Sequence, residues 1–153
     1  MPRPLGLTFL LLLAAILISC GGSGGDTPEA KTFRERAAAE PGAVTTPSGL
    51  IYRELRTGYG DTPSASDTVK VHYRGTLING TEFDSSYKRN EPAEFPLNRV
   101  IPCWTEGVQR MKVGGKSRLV CPSAIAYGDG GSPPTIPGGA TLVFEIELLA
   151  ITR

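Results

Sequence analysis

Residues 69–83, VKVHYRGTLINGTEF, decide how this chain folds. Val69, Val71 and Tyr73 alternate with Lys70, His72 and Arg74, the period-two pattern of a strand with one buried face. Asn79-Gly80 then separates Thr76-Leu77-Ile78 from Thr81-Glu82-Phe83. That dipeptide is a strong hairpin signal, because a type I′ turn needs positive φ at both central positions. Two antiparallel strands joined by a tight turn are therefore the seed of the fold.

The same texture continues on both sides. Leu50–Leu55 is a strand candidate and Gly58-Tyr59-Gly60-Asp61 a turn. Residues 94–97 offer another short strand. Trp104, Val108 and Met111 fall at i, i+4 and i+7 and so share one helical face, with Pro102 acceptable in the first turn and Gly114-Gly115 as the stop. Lys116–Cys121 and Thr141–Ile151 complete the strands. In the last of these Leu142, Phe144, Ile146 and Leu148 alternate with Val143, Glu145 and Glu147. The expected fold class is α+β, an antiparallel sheet of about five strands wrapped around one short amphipathic helix. Residues 126–140, AYGDGGSPPTIPGGA, are too rich in Gly and Pro for either element. A loop of that length inside a compact domain is a functional candidate, against the plainer alternative of a passive connector.

The N-terminal part is organised differently. A short basic start and the apolar run Leu5–Ile18 read as a secretory signal, since 14 residues fall short of the roughly 20 that a spanning helix needs. Leu17-Ile18-Ser19-Cys20 resembles the lipobox of bacterial lipoproteins, which makes Cys20 the lipidation candidate. Gly21-Gly22-Ser23-Gly24-Gly25 follows as a flexible tether. Thr32–Ala39 has good helix formers but little to bury, so at best it is a short, marginal helix. The turn-rich stretch Pro41–Pro47 ends it. The expected organisation is a signal peptide at 1–19, a tether at 20–46 and one folded domain at 47–153. Such a chain sits in the cell envelope on a lipid anchor, on the periplasmic side of the outer membrane if the host is Gram-negative.

Charge removes one class of partner. The chain carries 16 Lys and Arg against 15 Asp and Glu, and only Arg3 precedes Cys20, so the part from Cys20 onward is balanced at 15 and 15. Nucleic-acid binding needs a clustered cationic surface that releases counterions, and a neutral body argues against it.

An ordered set of motifs then becomes specific: Val71-His72-Tyr73-Arg74-Gly75, Phe83-Asp84-Ser85-Ser86, Val100-Ile101, Trp104, Ala126-Tyr127-Gly128 and Ala140–Leu149. Residues 47–153 resemble the FKBP-type peptidyl-prolyl cis-trans isomerases from end to end. They are most similar to the periplasmic branch that includes the macrophage infectivity potentiators. The resemblance implies a reaction without metal or cofactor, proline-containing polypeptides as substrates, and macrolide inhibitors as ligands of the same pocket. It assigns catalytic positions to Tyr73, Phe83, Asp84, Tyr127 and Phe144. Substrate contacts go to Val100, Ile101 and Trp104, with Trp104 as the floor, to Ile136 as a loop aliphatic closing over the substrate, and to Arg89 as the partner of Asp84. Members of that branch often dimerise through a long N-terminal helical region, and the 20–46 segment is too short for one, so the expected state is a monomer.

Departures from the family pattern fall at Ala93, where many members carry an aromatic, at Ser132 and Thr135, and at Cys103 in place of a common glycine. The first three thin the rim and bear on substrate preference. On pattern alone Tyr73, Trp104 and Phe144 also fit ordinary core packing, and Phe83-Asp84 fits a strand end with a capping carboxylate. His72, facing away from Tyr73, is expected on the surface. Cys103 and Cys121 remain once Cys20 is committed to lipid. An oxidising compartment favours a disulfide between them, closing a loop of 17 intervening residues, and two buried thiols are the alternative. A binding module of the same fold, holding proline-containing segments with little turnover, is the competing function.

Overall fold

The computed structural model describes residues 26–153. The signal segment, Cys20 and the glycine tether lie outside the described residues. In chain order the elements are α1 (Pro28–Ala38), β1 (Ala43–Thr45), β2 (Ile51–Arg56), β3 (Thr68–Leu77), β4 (Glu82–Ser85), β5 (Ala93–Pro96), α2 (Pro102–Val108), β6 (Lys116–Cys121) and β7 (Leu142–Thr152), with 3-10 turns at Leu97–Arg99 and Ser123–Ile125. The strands form one sheet of seven, ordered β1-β2-β6-β7-β3-β4, with β5 also pairing to β3. All of these pairings are antiparallel.

The α+β class and the wrapped sheet agree with expectation, while the counts are corrected to seven strands and two α-helices. Of the added elements, α1 and β1 come from the segment read as a tether. Thr27 caps α1 by accepting from the Ala30 amide at 3.1 Å, and Pro28 opens the first turn, so the helix begins earlier than its alanine run suggested. What holds α1 is tertiary. Ile51, Val120 and Val143 leave an apolar strip on the back of the sheet, and Ala37 and Phe33 cover it. Arg34 reaches Thr141 at 3.0 Å and pairs with Asp26, tying the helix to the start of β7. The folded unit thus begins well before Pro47.

The front of the sheet buries Val69, Val71, Tyr73, Leu119, Phe144, Ile146 and Leu148 against Trp104 and Val108 of α2. Helix and sheet approach closely at Gly107, where a Cβ would stand 2.3 Å from Leu119 Cδ2. α2 stops at Val108, a turn short of the periodicity, and Met111 completes the buried face from the turn that follows. Cys103 at the start of α2 and Cys121 at the end of β6 are joined as a disulfide, Cα–Cα 5.9 Å, both fully buried.

The hairpin turn differs in type from expectation. Only Gly80 has positive φ, at 88°, whereas Asn79 does not. The Gly80 amide donates to Leu77 O at 3.0 Å and the Leu77 amide to Thr81 O at 2.8 Å, which makes a three-residue loop with a glycine bulge. Farther from the turn the β3–β4 register shifts between Gly75 and Thr76, where Gly75 pairs with Asp84 and Thr76 with Glu82. No helix among the described residues is long and apolar enough to cross a membrane.

Candidate functional site

β3 is the backbone of the site. β5 pairs with its first half, Thr68–Val71, and β4 with its second half, Arg74–Thr76, so Tyr73 falls between the two. The fully buried Ser86 fills that interval: its hydroxyl accepts the Tyr73 amide at 2.8 Å and its own amide donates to Tyr73 O at 3.0 Å. This fixes Tyr73 and brings the end of β4 beside it. His72 points the other way, as alternation requires, but it is half-buried rather than a free surface residue. Its ring stacks on Tyr87 at 4.7 Å and its Nδ1 lies 2.8 Å from Ser86 Oγ.

Four aromatic rings meet Trp104 or its neighbours edge to face. Trp104 lies 5.2 Å from Tyr73, 5.4 Å from Phe95 and 5.4 Å from Phe144, at interplanar angles of 83°, 84° and 89°, and Phe83 stands 5.6 Å from Phe144 at 90°. Perpendicular contacts suit ring quadrupoles, and the rings border a hollow. The glycine in β3 makes room for it. A Cβ at Gly75 would sit 2.5 Å from Phe83 Cζ and 2.9 Å from Phe144 Cε1. The resulting cavity, about 460 Å³, is lined by Tyr73, Phe83, Asp84, Phe95, Arg99, Val100, Ile101, Trp104, Tyr127 and Phe144.

One wall is polar. Asp84 accepts from the Tyr73 hydroxyl, from Arg89 Nη1 at 2.6 Å and from the Ser85 amide at 2.9 Å, while Arg89 Nη2 donates to the Tyr73 oxygen at 3.0 Å. Burial by itself raises the Asp84 carboxyl, but the hydrogen bonds from Tyr73 and Arg89, with the Arg89 charge, outweigh it and hold Asp84 below the usual aspartate range. Tyr73 moves the opposite way, raised by burial and by its bond to the carboxylate. The site therefore presents an ionised Asp84, a neutral Tyr73 and a cationic Arg89. Tyr127 is 43 % exposed and its hydroxyl has no protein partner among the described residues.

A family model of FKBP-type peptidyl-prolyl cis-trans isomerases matches residues 60–149. The chain belongs to this family. The FKBP match extends over most of the chain: it is 51% identical to FkpA of Escherichia coli (strain K12) over 121 residues, 79% of this chain and 44% of FkpA. Against the isomerase Mip of Coxiella burnetii the identity is 41% over 125 residues, 82% of this chain and 54% of Mip. The crystal structure of FkpA from Escherichia coli superposes with a TM-score of 0.78 at 50% identity, covering 80% of this chain and 57% of that one. The chain thus spans about half the length of these relatives.

In this FKBP chain the cavity gathers eight of the residues singled out from sequence: Tyr73, Phe83, Asp84, Val100, Ile101, Trp104, Tyr127 and Phe144. Arg89 stands behind the wall and acts on it through Asp84 and Tyr73. Ile136 does not line the cavity. It is 5 % exposed and packed into the core, held by paired hydrogen bonds with Ser132 at 2.9 Å each. Ala93, Ser132 and Thr135 are likewise absent from the lining. Phe95 and Arg99 line it without having been singled out. Phe95 carried a faint signal as the aromatic of the short strand 94–97. Arg99, on a 3-10 turn, carried none.

Proposed function

We propose that this chain is a peptidyl-prolyl cis-trans isomerase that accelerates X–Pro isomerisation in folding secreted or envelope proteins. The observation that carries the proposal is the shared hollow: Tyr73, Phe83, Trp104 and Phe144 face one cavity of about 460 Å³ with Asp84 at its side.

The chemistry follows from the imide. Rotation about X–Pro costs about 18–20 kcal/mol because it breaks conjugation between nitrogen and carbonyl, and it needs neither nucleophile nor redox partner. At the halfway point the charge separation of the planar amide is lost. A dry aromatic wall therefore favours the twisted state over either flat isomer, which is the condition for catalysis. In this scheme Trp104 supports the pyrrolidine ring from below, and Phe83, Phe144 and Tyr73 surround it. Asp84, kept ionised by Arg89 and Tyr73, faces the carbonyl whose dipole changes during rotation. The free Tyr127 hydroxyl donates to a neighbouring substrate carbonyl. Macrolide inhibitors would compete for the same hollow.

The proposal places the protein on a lipid anchor at Cys20, in the cell envelope, as a monomer. The lipobox-like Leu17–Cys20 and the glycine run after it support that placement. Radiolabelled fatty acid entering the wild-type protein and not C20S checks the anchor, and sedimentation of the purified protein checks the monomer.

The deciding experiment for activity is refolding of a substrate limited by prolyl isomerisation, with the purified protein at catalytic amounts. Acceleration that drops about tenfold in D84A supports the proposal, a loss of the size expected from one charge-assisted hydrogen bond or dipole contact. A rate equal to buffer removes it. Suppression of aggregation without acceleration would point instead to a holding module.

A further inference from the structure

The cavity lining contains two charged side chains, Asp84 and Arg99, and they are answered differently. Asp84 is neutralised within the protein by Arg89 at 2.6 Å. Arg99 is exposed and makes neither an ion pair nor a side-chain hydrogen bond among the described residues. Its backbone position is nevertheless fixed. Arg99 closes the 3-10 turn Leu97–Arg99, in which Leu97 is fully buried and its carbonyl accepts from Thr105 Oγ1 at 2.6 Å. Val100 and Ile101, the next two residues, are themselves part of the lining. The pocket thus holds one uncompensated positive charge beside a site shaped for an apolar ring.

We propose that Arg99 is a specificity-determining residue that selects proline-containing segments with an acidic side chain next to the proline. This inference rests on the isomerase reading of the same cavity and adds the substrate class to it. A Glu or Asp flanking the proline brings its carboxylate to the guanidinium while the pyrrolidine fills the aromatic hollow, and a Lys or Arg there meets like charge. Arg89 is a weaker competitor, because its Nη1 and Nη2 already donate to Asp84 and Tyr73 and its charge is answered by Asp84.

The test uses blocked tetrapeptides with Glu, Leu or Lys immediately before or after a single proline. Two quantities are read: kcat/KM for isomerisation, and Kd from the fluorescence of Trp104, which is the only tryptophan of the chain and the floor of the pocket. At low salt the Glu peptide should exceed the Lys peptide by about 3- to 5-fold in both, the range of an exposed ion pair. The ratio should approach one near 1 M salt, where the screening length is about 3 Å. R99Q should abolish the ratio and R99E should invert it. Equal values for Glu and Lys in the wild type, or a preference that survives in R99Q, overturns the inference. Acceleration without charge preference sinks the role of Arg99 alone. Charge preference in Kd without acceleration sinks the isomerase reading and leaves Arg99 as a selector of bound segments.

Discussion

The Tyr73 hydroxyl donates to Asp84 Oδ2 while accepting from Arg89, so one tyrosine closes a three-membered polar ring at the edge of an aromatic cavity. Asp84 is thereby ionised at lower pH than a free aspartate. Because its folded pKa is depressed, the contribution of its ionised form is complete above the ordinary aspartate value of about 3.9 and fades only as pH falls through the lower folded value. Activity that depends on ionised Asp84 should hold level from about pH 8 to pH 5 and decline only below about pH 4. Y73F removes one donor, so its acid limb should lie at higher pH than that of the wild type. Profiles of kcat/KM from both proteins check this. Coincident limbs would show that the tyrosine does not hold the carboxylate in its active form.

Gly75 supplies the second prediction. G75A should displace the rings of Phe83 and Phe144, because the new methyl would occupy the space of Phe83 Cζ and Cε2. Overpacking of this kind costs about 1–3 kcal/mol. The urea midpoint should fall by a corresponding amount, and peptide affinity read from Trp104 fluorescence should weaken. An unchanged Kd with a lowered midpoint would mean that the rings move without reshaping the pocket.

The Cys103–Cys121 bond joins α2, which carries the floor residue Trp104, to β6. Closing a loop between residues 18 apart stabilises a fold by about 3 kcal/mol in the chain-entropy model. Reduction, or the double variant C103A/C121A, should lower the unfolding free energy by about that amount. The intact mass should rise by two hydrogens on reduction. Alkylation of both cysteines in the unfolded protein without reductant would show that the bond is not formed in the cell-derived material.

His72 is adjacent to Tyr73 but on the opposite face, stacked on Tyr87 and bonded to Ser86. H72A should therefore leave kcat/KM within about twofold while costing about 1 kcal/mol of stability, the usual value of one neutral hydrogen bond. A tenfold loss of turnover at full stability would place the imidazole in the reaction after all.

The sequence by itself determined the parts of this protein that rest on local rules. Alternation in β3 and β7 set which side chains point inward, because side chains of a strand change face at every residue. The glycine of Asn79-Gly80 set the hairpin, though not its type, since only Gly80 took positive φ. The ordered motifs fixed the family, and with it eight residues of the cavity wall.

Only the tertiary structure decided the rest. Whether α1 forms depended on a strip of Ile51, Val120 and Val143 that comes from three separate strands, and no local window contains such a surface. A marginal helix becomes stable when it has that surface to cover. Ile136 went into the core rather than over the cavity because the loop folds back through its own Ser132–Ile136 bridge. Phe95 and Arg99 reached the cavity because β5 pairs with β3 and the turn after it lies beside Trp104. Periodicity reports the face on which a residue sits, and the pairing of distant strands chooses what that face will meet.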